Sequence, residues 1–265
     1  MPTRLLCAAM KIQIVTINTW KCDGDYYKRM QVLANQLKKL TPHIVACQEC
    51  FLSVDEKIDT LRFLAEELDM YYHFTPARLK ERMLNGQLIN GYSGLGVLSA
   101  FRLDVVNEFD LPTVDADGER KVLQTALQIT DENKLMFTNI HLTHLKNAAD
   151  LRKRQIQLIA QKTPSTGYAY SLLCGDFNTT IESEEIELLK NLTNASDCYA
   201  AGGGAIPAIS VNHRSGEGID HIFSIPAEQA DVVFTRSAVV LNQADSISGI
   251  YPSDHFGIST TLITN

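Results

Sequence analysis

Six short segments of the chain place carboxylates, amides and imidazoles at the ends of apolar runs: Asn18 in INTW, Glu49 in CQEC, His141 in NIHLTH, Asp176 and Asn178 in CGDFN, Asp220 in GIDHIF, and Asp254 with His255 in PSDHFGI. These residue types suit chemistry on phosphate beside a hard divalent cation. Such a cation asks for few carboxylates, supplemented by amide oxygens and water, a demand that Glu49 with Asn18 meets. Asp176 and Asn178 are two apart and share a face on an extended backbone, which puts an acid and an amide together at a sheet rim. Asp254 and His255 are adjacent and point apart unless a turn re-aims them. An acid elsewhere, with Asp220 the candidate, would fix the tautomer of His255 and raise its basicity.

Each residue alone also has a plainer reading. Asn18 and the Asp-x-Asn of 176–178 are ordinary turn residues, Glu49 is a solvated strand end, and either histidine of HLTH is a surface or core imidazole. His141 and His144 are spaced i, i+3, which on a strand turns them to opposite faces, so only one is expected to face a site and a two-histidine zinc centre is rejected. A zinc hydrolase using His141, His144 and Asp176 stands as an alternative that tight zinc binding would favour. Cys47-x-x-Cys50 is half of a zinc motif, with no second pair to complete it.

The elements that must position these groups follow from periodicity. Residues 11–19 are β-rich with apolar groups on both faces, as in a strand between two layers. Met30, Leu33, Leu37 and Leu40 recur at helical spacing until Thr41-Pro42, and 43–47 forms a second short apolar run. Ser53-Val54-Asp55-Glu56 fits a capping box opening a helix whose face is Ile58, Leu61, Leu64, Ala65 and Leu68. Strands are expected at 71–75, 94–99, 105–109, 122–129, 134–139, 171–174, 218–224, 232–241 and 256–263, and helices at 148–161 and 183–192. The polar stretch 78–93, with Asn85-Gly86, Asn90-Gly91 and Ser93-Gly94, reads as a long surface loop. Asp117-Gly118 within 115–119 signals a hairpin turn. No linker or composition shift divides the chain, so a short tail (1–9) and one domain (10–265) are expected, a two-layer β core flanked by helices.

Net charge is −7 over 265 residues, which argues against coating nucleic acid through broad electrostatics but leaves room for a local basic groove. No apolar run approaches the roughly 20 residues of a membrane helix. The six cysteines are scattered through a chain large enough to need no staples, which points to reduced thiols and a cytoplasmic location.

Taken in order along the chain, the six segments resemble the endonuclease/exonuclease/phosphatase superfamily, closest to its branch of tyrosyl-DNA phosphodiesterase 2, neutral sphingomyelinase-like proteins and bacterial metal-dependent hydrolases. The resemblance implies a DNase I-like four-layer α/β sandwich, two packed β-sheets flanked by helices. It implies hydrolysis of a phosphate ester with Mg²⁺ or Mn²⁺, most simply a phosphodiester in nucleic acid, a phospholipid head group or a small phosphate ester. Nuclease, sphingomyelinase and inositol phosphatase activities are the alternatives within it, and a non-catalytic phosphate-binding module is another. In that family Glu49 would be the principal metal carboxylate with Asn18 and Asp254 near it. Asp176 would orient or deprotonate the attacking water, Asn178 would hold the phosphate or that water, and His141 would donate to a phosphate oxygen. Asp220 and His255 would form an acid–imidazole pair. Arg214 and Arg152 are candidates for contact with substrate phosphate. The acidic partner that DNase I-like nucleases give the first catalytic histidine has no match in GYSGLGVLSAF, which weakens a plain DNase assignment, and no protein partner is inferable.

Overall fold

The computed structural model describes residues 9–164, 166–212, 216–229 and 232–264; the start of the expected tail and Arg214 lie outside them. The described chain runs β1 (Lys11–Asn18), α1 (Tyr26–Leu40), β2 (Ile44–Ser53), α2 (Thr60–Leu68), β3 (Tyr71–Leu84), β4 (Gln87–Ser99), β5 (Leu103–Asp110), β6 (Lys121–Gln128) and β7 (Lys134–His141). It continues through α3 (Ala149–Lys162), β8 (Tyr170–Asp176), α4 (Glu184–Thr193), β9 (Ser196–Asp197), α5 (Cys198–Ala201), β10 (Asp220–Ile225), β11 (Val233–Val240) and β12 (Gly257–Ile263). Two six-stranded sheets result, ordered β11-β12-β1-β2-β4-β3 and β5-β6-β7-β8-β10-β9.

Alternation along each strand builds four layers from these two sheets. In β1, Ile12 and Ile14 face the other sheet, joining Leu123, Phe137, Leu172 and Ile222 in one interior. Val15 and Ile17 face the opposite way, onto Met30, Leu33 and Leu37 of α1 and Leu61 and Leu64 of α2. The second sheet repeats the arrangement: Val122, Ile140, Leu173 and Phe223 cover Ile156 and Ile159 of α3 and Ile186 and Leu189 of α4. This is the DNase I-like α/β sandwich expected from the motifs. A buried polar link crosses between the sheets, where Gln48 Nε2 donates to Asn139 Oδ1 at 2.7 Å and Asn139 Nδ2 donates to the carbonyls of Cys47 and Gly96.

Three local expectations need correction. Residues 78–93 are not a loop but the greater part of a long β3–β4 ribbon, closed by a two-residue turn in which Asn85 and Gly86 have φ of 45° and 83° between the paired Leu84 and Gln87. Asn-Gly supplies the two positive φ angles that such a turn demands, and the ribbon's polar composition reflects its exposure. Ser53 ends β2 and opens no helix; α2 is capped by Asp59, whose side chain accepts from the amides of Leu61 and Arg62. The connection containing Asp117-Gly118 does join paired strands, with Asp110 opposite Lys121, but it spans 111–120 and buries Asp117 instead of making a tight turn.

Among the described residues no helix is long and apolar enough to cross a membrane. Cys22, Cys47, Cys50, Cys174 and Cys198 are free and buried. Neither Cys47 nor Cys50 belongs to a group able to hold a metal among the described residues.

Gly175 combines a positive φ with a close approach of backbone. Its φ is 140°, and a Cβ built there would stand 2.0 Å from the carbonyl oxygen of Ile140 on the paired strand. Gly175→Ala is expected to cost about 3 kcal/mol in backbone strain and overpacking, read as a fall in Tm of about 6–12 °C. An unchanged melting curve would contradict this packing.

Candidate active site

Strand register brings the six segments to one end of the sandwich. Asn18 and Gln48 are partners at the same end of parallel β1 and β2, and His141 and Asp176 are partners at the same end of parallel β7 and β8. Antiparallel β10 begins there with Asp220 opposite Asp176. Asp254 and His255 lie in the loop just before β12, which runs antiparallel to β1. The two sheets meet at this rim through Asn18 Nδ2, which donates to Asp176 Oδ2 at 3.0 Å.

Asp176 is the hub of one side. It is 1% exposed, its Oδ1 accepts from the backbone amide of Asn178 at 2.9 Å, and its Oδ2 lies 3.5 Å from His141 Nε2 and 4.0 Å from His255 Nε2. His255 Nδ1 is 2.8 Å from Asp220 Oδ2, the expected pairing, which leaves Nε2 turned toward Asp176. Asp220 Oδ1 is buried with no hydrogen-bond partner among the described residues. Asn178 has a φ of 51°, so it departs from the extended geometry its spacing suggested, and its Nδ2 donates to the carbonyl of Leu142.

Electrostatics separate the two imidazoles. Burial, and then the positive charges of Arg120 and Lys21, push His141 well below the usual histidine range, which keeps it neutral. Burial also opposes charge on His255, but the charge and hydrogen bond of Asp220, with Asp176 and Asp254 adding to them, lift it to about 10. Burial, followed by the charge of Asp220, raises Asp176 to about 7 against the opposing effects of His255 and the bonds from Asn18 and Asn178. The rim therefore holds a carboxyl group poised near neutrality between a neutral imidazole and a cationic one.

Glu49 governs the other side. The polar pair Gln48-Glu49 interrupts the pairing of β2 with β4 between Cys47 and Cys50, so that β2 continues past Glu49, which the sequence had placed at a strand end. Glu49 has a φ of 54°, and Trp20 and Lys21 facing it have 56° and 45°. Lys21 Nζ is 2.6 Å from Glu49 Oε2. Asp254 is raised by burial, and the charge of Glu49 acts on it in the same direction while His255 acts against it. Glu49 and Asp254, close enough for the charge of one to act on the other, are hard oxygen donors of the kind a divalent cation takes. Asn18, expected beside that cation, has its Nδ2 on Asp176 and its Oδ1 accepting from the amide of Trp20.

The tightest group of potential metal ligands among the described residues is instead Asp176, Asp220 and His255, whose ligand atoms lie within 4.8 Å of one another. The Asp220–His255 hydrogen bond already commits one imidazole nitrogen of that trio. The zinc alternative fares worse, because His144 turns to Arg120 Nη2 at 2.6 Å and Asp117 Oδ1 at 3.3 Å and is no member of the cluster.

Residues outside the six motifs shape the site. Arg29 on α1 is 2% exposed and donates to five carbonyls: Thr19, Trp20, Lys21 and Asp23 on one loop and Pro252 on the other. The available signal was its position on the apolar stripe, three residues after Tyr26 and four before Leu33, where a charge has to find buried partners. Arg152, a candidate for phosphate contact, is instead bound to Glu185 at 2.8 Å, tying α3 to α4. Charge complementarity between facing helices is its role.

Residues 15–255 match the Endonuclease/Exonuclease/phosphatase family. Similar solved structures include an endonuclease/exonuclease/phosphatase family protein from Bacteroides thetaiotaomicron, 19% identical, with a TM-score of 0.75 over 98% of this chain and 100% of that one. D. rerio TDP2 humanized by 14 mutations is 21% identical, with a TM-score of 0.73 over 96% and 99% of the two chains. A mannosyl-6-phosphatase of Bacteroides thetaiotaomicron is 19% identical, with a TM-score of 0.72 over 96% and 100%. No curated protein matches the sequence significantly.

Proposed function

We propose that this chain, which belongs to the Endonuclease/Exonuclease/phosphatase family, is a divalent-cation-dependent phosphoesterase that cleaves a P–O bond, in the simplest case of a phosphodiester, by in-line attack of water. The observation that carries this reading is Asp176, a buried carboxylate raised to about 7 and set between His141 Nε2 at 3.5 Å and His255 Nε2 at 4.0 Å. A base is most effective when its pKa lies near the working pH, and Asp176 would accept the proton of the attacking water. Asn18 and the amide of Asn178 hold its two oxygens and so fix its aim.

His141, neutral, has a proton to donate to a phosphate oxygen without carrying full charge in the resting site. His255 would face the phosphate as an imidazolium held by Asp220, a fixed positive charge where negative charge develops. Asn178 would steady the phosphate or the water at the mouth of the site. Glu49 and Asp254, with Asn18 beside them, would hold Mg²⁺ or Mn²⁺, whose charge supplies electrostatic stabilisation to the phosphate oxygens. Glu49 would have to part from Lys21 Nζ to do so, and that release frees Lys21 to meet the substrate.

The similar structures include a mannosyl-6-phosphatase and a D. rerio TDP2 complexed with single strand DNA product, so sugar phosphates and nucleic acid both belong among the esters to be tried. A panel of DNA, RNA, 5′-tyrosyl DNA, sphingomyelin, inositol phosphates and sugar phosphates, assayed with Mg²⁺ and with Mn²⁺, tests the reading. Turnover of at least one phosphate ester is expected, with loss in EDTA and recovery on adding metal. Full activity in EDTA would overturn the metal dependence, and no turnover of any ester would overturn the enzyme.

A further inference from the structure

The rim described above opens into a cavity of about 250 Å³. Glu49 and His141 line one part of it, and the β3–β4 ribbon lines another. Alternation along β3 sends Arg78, Lys80 and Arg82 to the cavity and leaves Leu79 and Met83 exposed on the outer face. The protein is acidic as a whole, so three cations in a row on one inner wall depart from its general character.

The other basic residues of the cavity are already matched. Lys21 is on Glu49, Arg120 on Asp117 and Lys121 on Asp110. Among the described residues none of Arg78, Lys80 and Arg82 has a carboxylate within ion-pair distance. Arg78 Nη1 donates to the carbonyl of Asp117 and Arg82 Nη2 to Ser93 Oγ, while Arg82 Nε is buried and has no partner. Glu119 is the one acidic lining residue that also lacks an ion-pair partner among the described residues, and it is exposed. A guanidinium presents a planar fork that matches phosphate oxygens two at a time. Alternate side chains on a strand stand about 6.6 Å apart, so Lys80 is about that far from each arginine and Arg78 and Arg82 are about twice as far from each other, which is wider than one phosphate group needs.

Resting on the phosphoesterase reading, we propose that the inner face of β3 is an anion subsite for a second, non-scissile phosphate, so that the preferred substrate carries at least two phosphates on one scaffold. Such a wall repels a cationic head group and attracts either a short run of nucleic acid backbone or a small molecule phosphorylated at two positions. Arg78 and Arg82 are the specificity-determining pair, and Lys80 extends the same row.

The test is calorimetric titration of the full chain in EDTA, where metal-dependent turnover is off, with thymidine 3′,5′-bisphosphate and thymidine 5′-monophosphate. The wild type is expected to bind the bisphosphate at least about tenfold more tightly, and the Arg78→Gln/Arg82→Gln protein is expected to lose that preference while its affinity for the monophosphate is unchanged. Lys80→Gln, at an exposed position, should reduce the preference to a smaller extent and guards against a double variant that fails to fold. Equal affinities in the wild type, or a preference that survives the double substitution, would overturn the subsite. A 5′-phosphorylated trinucleotide and fructose 1,6-bisphosphate separate the two sources: the one whose binding is weakened by the double substitution identifies the source, and insensitivity of both overturns the proposal. A wild-type preference for the bisphosphate that the double substitution abolishes, together with no hydrolysis of any ester in Mn²⁺, would count against the phosphoesterase reading alone.

Discussion

Asp176→Asn is expected to lower turnover by about 10²- to 10⁴-fold, the range lost when a positioned general base is removed, in a protein that remains folded. Asparagine keeps the shape of the side chain and an oxygen to accept from the amide of Asn178, but it has no basicity to offer water. The stability effect has a definite sign. Asp176 is raised in the fold from 3.8 to about 7 by burial and by the charge of Asp220, so the folded state holds the proton more tightly than the unfolded chain does. Ionisation of wild-type Asp176 therefore erodes stability as pH rises from about 4 toward 7, and the loss is complete above that range. The asparagine variant lacks this loss, so its Tm relative to wild type should be higher at pH 8 than at about pH 4. A folded Asp176→Asn protein with undiminished turnover would remove the base from the proposed mechanism.

Arg29→Met carries the second large effect, and it acts through position. The guanidinium donates at 2.8 to 3.1 Å to carbonyls of Thr19, Trp20, Lys21, Asp23 and Pro252, and it lies 4.8 Å from the centre of the Trp20 ring. It thus ties the loop that carries Lys21 to the loop that carries Asp254. Methionine fills much of the volume but leaves those carbonyls without a donor, a loss of about 3–5 kcal/mol on the scale of charge-assisted bonds and orphaned polar groups. A fall in Tm of about 6–20 °C is expected, and at temperatures where the variant is folded its affinity for Mn²⁺ should drop. Arg29→Lys should rescue little of this, because an ammonium has three donors and no planar fork. Wild-type melting and wild-type Mn²⁺ affinity in Arg29→Met would show that the two loops are held by something else.

Both residues illustrate how far the sequence carries. Asp176, Asp220 and His255 are legible because each ends or begins an apolar run; the end of β8 and the start of antiparallel β10 in one sheet, and the entry to β12 in the other, come to one rim. The adjacency of Asp254 and His255 left their directions open, and Ser253 resolves it: its Oγ donates to the carbonyl of Asn18 and accepts from the amide of His255, turning the chain at that point. Arg29 was not legible as a functional residue, since its partners include Pro252, far away in sequence, and a stripe position says only that a partner must exist. Lys21 was equally silent, because a lysine after a tryptophan is ordinary until Glu49 is seen 2.6 Å away. The β3–β4 ribbon is hidden for a different reason: Asn85-Gly86 signals a turn, but strands whose outer residues face water lack the apolar alternation that marks a sheet strand. The capping box at Ser53 matched a pattern whose hydroxyl instead accepts from the amide of Ile58 and donates to Asp55, while Asp59 does the capping.

Attack of water at phosphorus is tested most directly by hydrolysing one accepted phosphodiester in ¹⁸O-enriched water with Mn²⁺ and locating the label by mass spectrometry. In-line attack assisted by Asp176 predicts one labelled oxygen on the phosphoryl product and none on the released alcohol, with label entering at a rate that falls in step with turnover in Asp176→Asn. Label in the alcohol would mean cleavage of the C–O bond and would contradict attack at phosphorus.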